Sequence, residues 1–218
     1  MNTVKLDNVV AKKQYCNDTL KMMIRSKENC LPIDMFNTLK NDLTTLDFTD
    51  QERMQTNKLV KEEDVVQSSY SLDRDNVVGH RRDLHSGDVK FDEVTNLLEK
   101  EANALLGLPM EIESRFVITL PEGGFLSAHA DSHTLIDDED NRKVWVKVEK
   151  FDFTTLLYVD KHNEEFEGGE LYFPDLDLTI KPKPNLMVCF PANFYFIHEV
   201  KLVTKGSRSL IGLRLIKT

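Results

Sequence analysis

The chain has 218 residues, of which 40% are hydrophobic and 30% charged, with a net charge of −9. That length carries a sizeable core, and the composition is that of a soluble globular protein. The acidic balance disfavours a nucleic-acid backbone as partner, and the absence of a run of about 18 apolar residues argues against a membrane span.

The opening stretch, MNTVKLDNVVAKKQYC, has no apolar signal-peptide core. Cys16, Cys30 and Cys189 form an odd set without CxxC spacing. Free thiols in a reducing, cytoplasmic compartment are therefore expected, with Cys189 buried in LMVCF. PIDMFNTLKNDLTTL places Ile33, Phe36, Leu39, Leu43 and Leu46 at steps of three and four, one apolar helical face with Pro32 in its first turn. FDEVTNLLEKEANALLGLP repeats the pattern through Val94, Leu97, Leu98, Ala102 and Leu105, and Gly107 and Pro109 end it. Between these helices, DVVQSSYSLDRDNVVGHRRDLHSGD is polar and predicts a short strand and a loop. His80, Arg81, Arg82 and His85 fall in that solvated loop.

The texture changes near residue 110. SRFVITL, FDFTTLLYV, GELYF, LDLTI, NLMVCF, FYFIHEVKLV and RSLIGLRLI are short runs rich in β-branched and aromatic residues. PEGG, KHNEEFEGG, KPKP, PAN and TKGS separate them as turns. This pattern predicts a β-sandwich, jelly roll or barrel. The chain thus reads as α+β and one compact domain overall: a helical segment over residues 1–110 packs on an all-β core over residues 111–218. The acidic DDED at 137–140 predicts a solvated loop, with a lid over residues 133–150 as the alternative.

One stretch does not read as core. FLSAHADSHTL puts His129, Asp131 and His133 at alternate positions, the spacing that sends side chains to one face of a strand. Two histidines and one carboxylate on one face of an iron(II) ion leave three positions open. His129 and Asp131 supply two such ligands, and His198, in the apolar FYFIHEVKLV, is the candidate third. Arg208, ten residues on, begins the last predicted strand. A buried cation there needs an anionic partner, and a dicarboxylate would serve. His133 and Glu199 read as a loop residue and a solvent-facing residue.

These elements in order resemble the iron(II)/2-oxoglutarate-dependent oxygenases, prolyl-4-hydroxylase-like branch. They are HAD, TTLLYV, GGELYF, KPKPNLMVCFP, HEV and GSR, over roughly residues 112 to 216. The resemblance implies a double-stranded β-helix, a jelly-roll or cupin-like barrel with N-terminal buttressing helices. It implies an enzyme that hydroxylates an unactivated C–H bond using Fe(II), 2-oxoglutarate and O2, with ascorbate as a further candidate. His129, Asp131 and His198 match the catalytic iron ligands, and Arg208 matches the residue that pairs with the distal carboxylate of 2-oxoglutarate. Many relatives carry a co-substrate-binding Tyr where Leu120 stands here; Thr155 is the substitute hydroxyl considered. Aspartate, rather than glycine, at the second ligand position favours hydroxylation over halogenation.

The expected substrate is a prolyl or other residue in a protein or peptide. Arg214 shares strand parity with Arg208, so a free amino acid or related small molecule held by that guanidinium is the alternative. Nucleobase repair ranks lower because the chain is acidic. A reading from another class is a non-catalytic jelly-roll metal-binding module, which His133 as a fourth ligand would favour.

Overall fold

A computed structural model describes residues 16–46, 53–58, 71–85, 87, 89–137, 139–140 and 143–218, with backbone alone at 53–58, 71–78 and 89. The N-terminal stretch read for a signal peptide lies largely outside these residues, as do Asp138, Asn141 and Arg142 of the lid segment. Two helices, α1 (Ile33–Thr44) and α2 (Val89–Leu106), form where the apolar spacing predicts. The Pro32 carbonyl accepts from Phe36 N–H at 2.9 Å, so the ring opens α1 without losing a donor. Ile33 does not join the apolar face; it is 64% exposed, while Phe36, Leu39 and Leu43 are buried. Gly107, at φ 66°, ends α2 in the left-handed region that a residue without Cβ adopts freely. Among the described residues no helix is long and apolar enough to cross a membrane.

Among the described residues the strands are β1 (Arg25–Lys27), β2 (Arg53–Lys58), β3 (Ser71–Leu84), β4 (Met110–Pro121), β5 (Leu126–His129), β6 (His133–Asp137), β7 (Lys143–Lys147), β8 (Phe153–Tyr158), β9 (Phe166–Gly168), β10 (Leu171–Phe173), β11 (Leu178–Ile180), β12 (Leu186–Pro191), β13 (His198–Val200) and β14 (Val203–Lys217). The large sheet runs β1-β12-β8-β14-β4-β3-β2, with β9 also on β14; the small sheet runs β11-β10-β13-β5. Every pairing within these sheets is antiparallel. This is the expected double-stranded β-helix.

Strand alternation gives the large sheet two different apolar faces. Leu157, Met187, Cys189, Ile211, Leu213 and Leu215 meet Phe36, Leu39, Leu98 and Ala102 of the helices. Their neighbours Leu156, Tyr158, Val188, Phe190 and Leu210 meet Leu171, Phe173 and Val200 of the small sheet. A central strand buried on both faces reads as an unbroken apolar run, which is why LMVCF and TTLLYV show no polar alternation.

Three expectations need correction. The polar segment before α2 is no loop at residues 80–84: it is the end of β3, with His80 opposite Thr119 and Arg81 opposite Ile118 of β4. The uncovered edge of β4 supplies backbone partners that polar residues use as well as apolar ones. TKGS is no turn between strands but part of β14, where Gly206 takes φ 75° beside β9. FYF at 194–196 forms a 3-10 turn, held by Asn193 Oδ1 accepting from Tyr195 N–H at 3.0 Å, so the His198 strand is only three residues long. The segment after Asp131 is a β6–β7 hairpin.

Leu98 is fully buried between α2 and the large sheet. Leu98→Ala is expected to destabilise the protein by about 2–5 kcal/mol, because the sheet cannot collapse into the space left behind. Urea unfolding followed by circular dichroism measures the shift in midpoint.

Candidate metal and anion site

His129 ends β5 and His198 begins β13, and the two stand directly opposite each other in the small sheet. Directly opposed residues share a face, so the imidazoles converge, with ring centroids 4.5 Å apart. Asp131 is not on the strand with His129, as alternation predicts, but in the bend just after it. Ser132 sets that bend: its backbone N–H and its hydroxyl both donate to the Ala192 carbonyl, at 2.9 and 2.8 Å. One potential ligand atom from each of His129, Asp131 and His198 lies within 4.8 Å of the others, a set able to hold a metal ion.

The orientation of each group is fixed from behind. His129 Nδ1 lies 2.7 Å from the Ser127 carbonyl, and His198 Nδ1 lies 3.0 Å from the Phe196 carbonyl. A carbonyl only accepts, so Nδ1 carries the proton and neutral Nε2 offers its lone pair to the site. Both Nε2 atoms face Asp131, at 3.4 and 3.8 Å. Thr154 Oγ1 donates to Asp131 Oδ2 at 2.6 Å. Burial pushes the Asp131 carboxyl up, but the two imidazoles and the Thr154 hydroxyl outweigh it and hold it below the ordinary carboxylate range. Burial takes His198 down to about 4. On His129 burial also lowers the pKa, yet Asp131 wins and raises it. Phe190 and Phe173 wall the His198 ring, with centroids 4.8 and 5.6 Å away.

These residues line a cavity of about 470 Å³, and Arg208 lines it too. Arg208 is 1% exposed, and none of its three guanidinium nitrogens has a hydrogen-bond partner among the described residues. Its guanidinium carbon stands 4.9 Å from the ring centroid of Tyr158, whose buried hydroxyl is likewise without a partner. Burial lowers the Arg208 pKa and raises that of Tyr158. Gly169 makes room for the arginine: a Cβ there would lie 2.9 Å from Arg208 Cδ. A buried cation and a phenol donor, both unmatched and side by side, fit a carboxylate.

Leu120 is fully buried in the core between the sheets and offers no polar atom. Thr155 does not line the cavity. It faces the helices, where its hydroxyl meets Cys189 Sγ at 3.3 Å. Alternation sends its neighbours Thr154 and Tyr158 to the cavity side instead. Tyr158, evenly spaced from Thr154 in TTLLY, is the phenol that stands beside Arg208. His133 begins β6 rather than lying in a loop, and Ser132 Oγ takes its Nδ1 at 2.9 Å. It lines the cavity but stands outside the three-residue metal group. Arg214 lines the cavity, as its parity predicts; Arg81 also lines it and was missed, because its strand had been read as a loop.

Residues 115–213 match the family model described as the 2OG-Fe(II) oxygenase superfamily. Prolyl 3-hydroxylase 2 of Homo sapiens is 38% identical over 93 residues, covering 39% of this chain and 12% of that protein. The chain therefore spans only a small part of the length of the curated relative it matches. A viral collagen prolyl hydroxylase from Paramecium Bursaria Chlorella virus-1, solved as a 2OG complex, superposes with a TM-score of 0.59 at 15% identity, covering 88% of this chain and 95% of that one. A prolyl-4-hydroxylase from Pseudomonas putida gives 0.58 at 18% identity, covering 94% and 99%. Over residues 115–213, somewhat under half of its length, this chain is similar in sequence to the 2OG-Fe(II) oxygenase superfamily, and its fold is that of the solved prolyl hydroxylases.

Proposed function

We propose that the chain is an iron(II)- and 2-oxoglutarate-dependent dioxygenase that hydroxylates a prolyl residue in a protein or peptide. One observation carries the reading. A buried guanidinium with no hydrogen-bond partner among the described residues lines the same cavity as two histidines and a carboxylate that converge on one point. His129, Asp131 and His198 would hold the iron. Arg208 and Tyr158 would receive the distal carboxylate of 2-oxoglutarate. When bound, the iron and 2-oxoglutarate with O2 supply the oxidation of a substrate C–H bond to C–OH, with release of succinate and CO2.

The chain's own residues prepare that chemistry. The Ser127 and Phe196 carbonyls keep the histidines in the tautomer that a metal ion needs. Thr154 occupies one lone pair of Asp131 Oδ2 and turns the carboxylate, while Oδ1 makes no hydrogen bond to it. Leu156, Leu171, Val200 and Leu210 give the cavity apolar walls that limit water.

The prolyl substrate rests on the likeness to prolyl 3-hydroxylase 2. A related fold from Trichoplax adhaerens, at 15% identity, was solved with a hypoxia inducible factor peptide fragment. The metal-binding-module alternative gains no support, because His133 does not complete a closed four-ligand set. The three free cysteines suit the cytoplasmic location proposed here.

Anaerobic titration with iron(II) and 2-oxoglutarate tests the function. A visible metal-to-ligand charge-transfer band is expected, and its absence from iron-loaded protein overturns the reading. Arg208→Met is expected to weaken 2-oxoglutarate binding by about 100-fold or more while stabilising the ligand-free fold by about 1–3 kcal/mol, because an unmatched buried charge is removed. Calorimetric titration and thermal unfolding read the two effects separately. Thr154→Val is expected to weaken Mn(II) binding by about 10- to 100-fold with the fold intact, measured by calorimetry.

A further inference from the structure

Arg214 lies on the cavity side of β14, directly opposite Thr154, which is itself bonded to Asp131. Arg81 reaches the same place from β3. The two guanidiniums share the ring of Phe116, 5.8 and 4.4 Å from its centroid, and Arg214 also stands 4.6 Å from Phe151. Gly212 permits this arrangement, since a Cβ there would lie 2.3 Å from the Phe116 ring. Asp83 holds Arg81, at 2.8 Å. The structure gives Arg214 ring contacts on Phe116 and Phe151, and Asp131, Glu149 and Asp83 act on it through space. A second cavity, of about 370 Å³, shares Arg81 and Arg214 with the first and runs outward past Glu113, Ser114 and Arg115.

Two cations on aromatic rings at the junction of two cavities are an odd lining for a site that accepts an apolar prolyl ring. They are a good lining for a carboxylate close to that ring. The outward cavity gives room for chain on the far side of the arginines, which favours a peptide over a single amino acid. Resting on the oxygenase reading, we propose that Arg214, with Arg81 beside it, selects peptides bearing an acidic side chain one or two residues from the hydroxylated position. Arg214 is thus a specificity-determining residue, acting on charge adjacent to the reacting carbon. Arg214 stands one strand over from Thr154, which is bonded to Asp131, so its contact falls close to the metal group, within one or two residues of an extended peptide that advances about 3.3 Å per residue.

The test compares blocked proline peptides that differ only in having Glu, Gln or Lys next to proline, together with free L-proline. Succinate formation gives KM. The fluorescence of Trp145, the single tryptophan, stacked on Phe194 at 5.8 Å, gives binding without turnover. The wild type is expected to favour the Glu peptide over the Gln peptide by about 10- to 100-fold in KM and in binding, and to reject the Lys peptide. In Arg214→Leu that ratio is expected to fall towards one, and Arg214→Lys is expected to restore part of it. Equal handling of the three peptides by the wild type overturns the proposal. So does a Glu preference that survives Arg214→Leu. Free proline outperforming every peptide overturns the peptide assignment and gives the arginines an α-carboxylate instead. Failure of the oxygenase reading is separate: it appears as no charge-transfer band and no succinate with any substrate, whatever the fluorescence titrations show.

Discussion

The buried guanidinium of Arg208 is the constraint around which the barrel is arranged. Removing a cation from water is costly, and no described carboxylate hydrogen-bonds to it; Asp160 acts on it only through space. Instead it surrounds the group with Tyr158, Gly169 and apolar wall, and opens one side to the cavity that the metal group shares. A site of this kind is stable against its own charge only with an anion present. That makes the ligand part of the energetics of the fold and ties binding to stability by mass action. The histidines and Asp131 follow a milder form of the same logic. Each is oriented by a backbone carbonyl or a hydroxyl, and their mutual charges keep Asp131 ionised despite burial.

The large sheet makes this possible because its two faces do different work. The helix side is sealed by α1 and α2 and carries no charged group among its buried members. That rigid backing fixes the register of β8, β12 and β14, and through it the direction of every side chain on the other face. Thr154 and Leu156 on β8, and Arg208, Leu210 and Arg214 on β14, line the cavity as one consequence of that register, with Tyr158 on the same face of β8 beside Arg208. A slip of one residue would exchange Thr154 for Thr155 and bury both arginines against the helices.

Arg81, Arg208 and Arg214 line the cavity against two carboxylates, Asp131 and Glu149, in a chain of net charge −9. Arg81 and Arg214 converge there from strands far apart in sequence, with Phe116 between them and Gly212 leaving space for its ring. Local charge of this sort acts over a Debye length of about 8–10 Å, so it governs what enters the site while the remaining surface stays acidic.

The β-rich half, the two helices and the ordered set HAD, HEV and GSR were legible from residue order, because hydrophobic period and ligand chemistry are local properties. His129, Asp131, His198, Arg208 and the cavity-facing Arg214 could be named on that basis. The rest depended on tertiary structure for identifiable reasons. In TTLLYV both faces are buried, so polarity does not say which threonine looks inward; it is Thr154 that meets Asp131, while Thr155 meets Cys189 on the helix side. Polar residues 80–84 show no apolar alternation, and only the free edge of β4 makes them a strand and brings Arg81 to the site. Composition and spacing determine which groups are available and which elements form. Register and sheet closure, which join residues 81, 129, 154, 158, 198, 208 and 214, decide which of those groups meet. That decision is made by burial on both faces of one sheet.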